Sequence, residues 1–179
     1  IRFYGLLFGK EALADSIFAE VEKNYNELKA IATSQPVKPR LVCELKSGSA
    51  WYVSGGRSTT GKLYADAGAD YVFASYPNPG GVPLSFETVF DKAQDADVWL
   101  MKYNHPTDKT YKSLREDYAP YANFKAFKEK NIYHCNTAHK KYYEDFPFHP
   151  DKVLKDLIKI FHPSLLPEYE LKYFSKLAE

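Results

Sequence analysis

From Gly5 to Ala32 the apolar side chains fall at Leu6, Leu13, Ile17, Phe18, Val21, Tyr25, Leu28 and Ile31. Steps of three, four and seven place them along one face of a helix. At 1.5 Å per residue the pattern predicts one helix roughly 40 Å long, about the width of a domain this size. Such a helix reads as a spine between two bodies. Gln35-Pro36-Val37-Lys38-Pro39 ends it, because proline supplies no helical donor and restricts its predecessor.

The pattern then changes to an alternation of strands and helices. Arg40–Leu45, Trp51–Val53, Tyr71–Phe73, Val98–Lys102 and Ile132–His134 read as strands. Helices are expected over Thr60–Ala67, stopped at Gly68, and from a Ser85 cap to about Ala93. Further helices are expected from Pro150, at the favoured first position, to Phe161, and over roughly Pro167–Leu177. A Pro/Gly-rich loop occupies Tyr76–Pro83. Strands alternating with helices imply an α/β lobe of three layers with a mainly parallel sheet. The expected organisation is therefore an inter-lobe helix over residues 1–34 and an α/β lobe over 35–179.

Composition narrows the function classes. The 179 residues carry 24 Lys+Arg against 23 Asp+Glu, a net charge of +1, without the basic excess of a dedicated nucleic-acid binder. No apolar run approaches the roughly 20 residues of a membrane-spanning helix. Two cysteines cannot form a multi-disulfide scaffold. The aromatic content is high, with 15 Tyr, 12 Phe and 2 Trp, so some rings must line surfaces or a cleft.

Three constellations invite a chemical reading. Gly56-Arg57-Ser58-Thr59-Thr60-Gly61-Lys62 has the spacing of a phosphate-binding loop, but Leu63 stands where a magnesium-holding hydroxyl belongs. The strand Val98–Met101 runs into Lys102 rather than a carboxylate. A glycine turn feeding a helix N-terminus, able to face an anionic group, fits better. A nucleotide-binding α/β enzyme domain remains the alternative. His134, Cys135, His139 and His149 lack the tight paired spacing of zinc sites, and no metal ligand or cofactor is assigned. Cys43 sits in a predicted buried strand and Cys135 just beyond another strand's end, so they could pair only if those strands are neighbours with matching ends. No nucleophile elbow, zinc-protease helix or kinase set occurs, so no catalytic residue is expected. The remaining aromatics, Trp51, Tyr52, Tyr76, Tyr142, Tyr143, Phe146 and Phe148, fall in segments beyond strand ends. Open α/β sheets bind ligands there.

Taken in order, these segments resemble the carboxyl-terminal half of a periplasmic substrate-binding protein of ABC importers. The class is the one with a helical backbone, carrying cobalamin, haem and ferric siderophores. Phe3-Tyr4-Gly5-Leu6-Leu7-Phe8-Gly9-Lys10-Glu11 with Ala14-Asp15 resembles the start of the linking helix, and Lys38-Pro39-Arg40-Leu41-Val42 the lobe's first strand. Gly55-Gly56-Arg57-Ser58 with Ala67-Gly68-Ala69, Leu84-Ser85-Phe86-Glu87 and Asp95-Ala96-Asp97-Val98-Trp99-Leu100 continue the likeness. The tail from Phe148-His149-Pro150-Asp151 to Phe161-His162-Pro163 is similar to Bacteroidetes members. The resemblance implies a non-enzymatic protein that captures an iron or cobalt chelate for an inner-membrane permease. It implies a periplasmic location, free or lipid-anchored through a segment ahead of Ile1, and an amino-terminal lobe absent from this chain. It implies ligand contacts from Trp51, Tyr52, Arg57, Tyr76, Tyr142 and Tyr143, and permease docking by Glu87.

Overall fold

The computed structural model describes residues 1–179. The expected single spine is two helices, α1 (Arg2–Leu7) and α2 (Glu11–Thr33). Gly9 takes a left-handed φ of 60°, and the Lys10 N–H donates to the Gly5 carbonyl at 2.7 Å, so the chain folds back. Gly5 lies so close to α2 that a Cβ there would stand 2.3 Å from that of Ala14. Periodicity cannot see this break, because Leu6 and Leu13 keep their phase across two helical turns. Arg2 ties the pair together, donating to Asp15 at 2.8 Å and lying 4.1 Å over the Phe18 ring.

The rest of the chain runs β1 (Arg40–Cys43), β2 (Lys46–Ser47), β3 (Ala50–Ser54), α3 (Thr59–Asp66), β4 (Asp70–Tyr71), β5 (Gly81–Leu84) and α4 (Phe86–Ala93). It continues through β6 (Val98–Tyr103), α5 (Tyr111–Asp117), α6 (Lys125–Lys128), β7 (Ile132–Asn136), α7 (Tyr142–Asp145), α8 (Pro150–Phe161) and β8 (Ser175–Lys176). The main sheet has the order β4-β1-β6-β7-β8, parallel except for its last strand. On β6, Val98 through Met101 are all buried although alternate side chains face opposite sides, so both faces of the sheet are covered. Ser58 and Ser85 cap α3 and α4 by accepting from the Gly61 and Thr88 amides, and Gly68 at φ 80° terminates the α3 segment.

Two further expectations fail for identifiable reasons. The loop read over Tyr76–Pro83 partly forms β5, the edge of an antiparallel sheet ordered β2-β3-β5. An edge strand tolerates Pro83, whose missing donor misled the sequence reading. The helix expected over Pro167–Leu177 does not form. Asp156, fully buried on α8, instead accepts from the backbone N–H groups of Lys172, Tyr173 and Phe174 at 2.7–3.0 Å, and from the Tyr169 hydroxyl. That carboxylate holds the segment extended, and β8 pairs with β7 beyond it.

The carboxyl-terminal part of α2 packs on the lobe, while α1 touches it where Tyr4 meets the Phe148 ring, 5.7 Å between centres. Tyr25 donates to Asp66 at 2.8 Å, Lys29 pairs with Asp66, and Ala32 is fully buried near Gly68. Phe3, Leu6, Leu7, Phe8 and Leu13, by contrast, are more than half exposed. Of these, Phe8 and Leu13 line, with Tyr4, Ile17 and the lobe's Phe148, an apolar hollow of about 380 Å³.

Candidate functional site

The carboxyl ends of β1 and β6, together with β3 and α7, surround an open cleft of about 480 Å³. At the end of β1 the chain enters an uncommon conformation, with Glu44 at φ 66°. Two indoles fix it there. Trp51 Nε1 donates to the Cys43 carbonyl and Trp99 Nε1 to the Glu44 carbonyl, each at 2.8 Å. Those tryptophans are fully buried against Tyr121 and Phe124, so the packed core sets the backbone of the cleft floor.

So held, Glu44 places its carboxylate on the Lys102 ammonium, whose side chain is only 9% exposed. Burial alone would depress that lysine's pKa, but the Glu44 charge opposes it and holds the ammonium well above the ordinary value. The Tyr64 hydroxyl lies 3.4 Å from the ammonium. Tyr103 closes one side of the cleft. Its hydroxyl sits 2.7 Å from His134 Nδ1, accepts from the Lys109 N–H at 2.8 Å, and is pushed up to about 12 by burial.

The residues assigned from sequence divide into three groups. Tyr52 and Tyr143 line the cleft and are 54% and 61% exposed. Trp51 and Tyr142 do not face solvent. Trp51 is consumed by the core, while Tyr142 is buried against Phe146, Tyr173 and Phe174, with its pKa pushed up to about 12 by burial. Period-two alternation explains the split on β3, where Tyr52 points out and its neighbour Trp51 points in. Arg57 is exposed and Tyr76 half-buried, but both stand away from the cleft lining, in two loops joined by the Gly56 N–H to the Tyr76 carbonyl.

That junction also explains the glycine turn. A Cβ on Gly55 would stand 2.2 Å from the Asn78 oxygen, and one on Gly56 1.9 Å from the Ala74 oxygen. The amides of Gly55, Gly56 and Gly61 donate to Gly80, Tyr76 and the Ser58 hydroxyl. The glycines thus serve close packing, and their donors are engaged within the fold rather than turned toward a phosphate.

Other candidates fall elsewhere. His134, Cys135, His139 and His149 are dispersed: His134 bonds Tyr103, His139 contacts the Pro106 carbonyl, and His149 borders the apolar hollow. Cys43 and Cys135 are buried and unpaired, the former 3.1 Å from the Tyr71 hydroxyl. Glu87 is exposed in the first turn of α4. Its own backbone N–H, the Ser85 hydroxyl and Lys46 hold its carboxyl below the usual range. Sequence reasoning missed Glu44, Lys46 and Lys102. A charged residue ending the apolar run of β6 was the available signal.

A cleft at the carboxyl ends of parallel strands is where open α/β sheets take their ligands. The chain belongs to the periplasmic binding protein family, whose model matches residues 1–138. It is 27% identical over 179 residues to an uncharacterized lipoprotein of Methanocaldococcus jannaschii, covering 98% of this chain and 41% of that protein. The chain thus spans less than half the length of the curated relatives it matches. Its fold is similar to the TroA-like periplasmic binding protein FepB of Veillonella parvula, with a TM-score of 0.72 at 16% identity, covering 97% of this chain and 58% of that one. It is also similar to an ABC-type Fe3+-hydroxamate transport protein of Saccharomonospora viridis, with a TM-score of 0.70 at 16% identity, covering 90% and 53%. No helix is long and apolar enough to cross a membrane.

Proposed function

We propose that the chain is the carboxyl-terminal lobe, with its linking segment at residues 1–34, of the solute-binding component of an ABC importer. Its solute is an iron or cobalt chelate: a ferric siderophore, haem or cobalamin. The observation that carries this reading is the open half-cleft at the strand ends, where two exposed tyrosines stand over a fixed, charged floor. The opposite wall is a preceding lobe, which also covers Phe3, Leu6, Leu7 and Phe8 on the hairpin. An apolar face of that kind is the signature of a surface that packs on another body. The lipoprotein relative supports a site outside the inner membrane, with a lipid anchor ahead of Ile1. Glu87, exposed and charged, docks the permease. The lobe performs no chemistry; it buries a bulky ligand and hands it on.

Titrating the protein with haem, cobalamin and ferric siderophores, against magnesium–ATP, tests this reading. Saturable binding of a chelate supports it. Magnesium-dependent nucleotide binding with no chelate bound would restore the nucleotide-domain alternative, against which the engaged glycine turn Gly56–Lys62 already stands.

A further inference from the structure

A second opening, an open groove of about 490 Å³, runs between α2 and α8 and shares no residue with the cleft lining. Glu27, Leu28 and Ile31 contribute from one face of α2, and Asp151, Lys152 and Lys155 from α8. Asp151 is only 7% exposed, and its Oδ1 is enclosed with no donor of the protein within reach. Neither lysine of its own wall answers it. The Lys155 ammonium lies 4.7 Å from the Tyr169 ring centre, and Lys152 forms no ion pair. Glu27 is exposed and pairs with Lys23 at 3.9 Å. A carboxylate oxygen buried without a donor is costly, so a group entering the groove with a donor to offer gains from meeting it.

We propose that this groove is a second binding site, for a small zwitterion of the ω-amino acid class. The ligand's ammonium donates to Asp151 Oδ1, its carboxylate meets the Lys155 ammonium, and its alkyl stem lies over Leu28 and Ile31. An ammonium gives the enclosed oxygen a charge-assisted bond, stronger than a neutral donor would make. The other end follows from the helix. Asp151 and Lys155 are four residues apart on α8, one turn and a rise of about 6 Å. An α-amino acid carries both charges on one carbon and is too short to serve the two positions together. A bare divalent cation fits poorly, because it needs about six oxygen ligands and would face two lysines on the α8 wall. The site stands on this geometry alone and is independent of what the cleft binds.

The test titrates the 179-residue chain with four probes: 6-aminohexanoate, glycine, hexylamine and hexanoate. Binding is read from the backbone amide signals of Leu28 and Asp151 by NMR. The zwitterion 6-aminohexanoate should bind saturably, and hexanoate and glycine at least about tenfold more weakly. Asp151→Asn should weaken 6-aminohexanoate about tenfold or more. Lys155→Gln, at a half-buried position, should weaken 6-aminohexanoate about threefold and move hexylamine less than about twofold. The thermal midpoint of each variant without probe shows that it folds. Asp151 also lies in the first turn of α8, where a carboxylate suits the positive end of the helix. If that is its whole role, or if solvent alone serves Oδ1, Asp151→Asn shifts the midpoint and leaves 6-aminohexanoate binding unchanged, and the proposal is wrong. Hexanoate binding as tightly as 6-aminohexanoate, or no saturable binding by any probe, would equally overturn it.

Discussion

The indole N–H of Trp99 donates to the carbonyl of Glu44 at 2.8 Å, joining the hydrophobic core to the floor of the cleft. Glu44 sits in a left-handed conformation that a non-glycine residue adopts at a cost of order 1 kcal/mol or more, so something must hold it. Trp99→Phe keeps the ring packing and removes the donor. The partly buried carbonyl loses its indole partner, and stability should fall by about 1–3 kcal/mol in urea denaturation. A variant as stable as the parent would show that the indole bond does not secure this turn.

Tyr52 and Tyr143 are exposed in the cleft, whereas Trp51 and Tyr142 are buried beneath it. Alanine at Tyr52 or Tyr143 should weaken chelate binding by about 1–3 kcal/mol and leave the melting temperature nearly unchanged. Trp51→Phe should act the other way, lowering stability with little direct effect on affinity. The pair of measurements separates ligand surface from core. Parallel losses in both quantities for all three variants would erase that division.

Much of the fold could be read from sequence because its signals are local. Ser58 and Ser85 cap helices, Gly68 stops one, and the apolar run at Val98 marks a strand buried on both faces. What was not legible depends on contacts between distant residues. The three backbone donors at Lys172–Phe174 find their acceptor on Asp156, in another element, and this converts an expected helix into an edge strand. The site was half legible for the same reason. Tyr52 and Tyr143 follow from placement at strand ends, but Glu44 and Lys102 are 58 positions apart and meet only through the pairing of β1 with β6.

Glu87 should matter for delivery and not for capture. Its carboxylate is exposed on the first turn of α4, outside the cleft lining. Glu87→Ala should leave chelate affinity within about twofold while reducing uptake in a permease-coupled transport assay. Undiminished transport at limiting binding-protein concentration would remove the docking role.

Acid should destabilise the lobe before its carboxylates titrate. Burial lowers the pKa of both His134 and His162 from the ordinary 6.5, against opposing pulls from Asp108 on the first and the Gly68 carbonyl on the second. The unfolded chain therefore binds protons that the folded chain refuses. Stability is complete above about pH 6.5 and declines as pH falls through that value toward the lowered folded pKa. Asp145, held below the usual carboxylate range by its bond from Lys172, contributes stability lost only at lower pH. Melting temperatures between about pH 7.5 and 5 should fall, with a shallower slope in His134→Gln and His162→Gln. A flat profile in the parent would refute the assignment of both histidines as neutral in the fold.

The most direct test of the half-cleft account compares chelate binding by this chain with binding by a longer protein that includes a preceding lobe. One wall of a cleft supplies part of the contacts, so calorimetry should show the chain alone binding the same chelate at least about 100-fold more weakly. Joining the lobes should also remove self-association driven by the exposed hairpin at Phe3, Leu6, Leu7 and Phe8. Equal, tight affinity in both proteins would mean that the site lies wholly within these 179 residues, and the two-lobe account would be wrong.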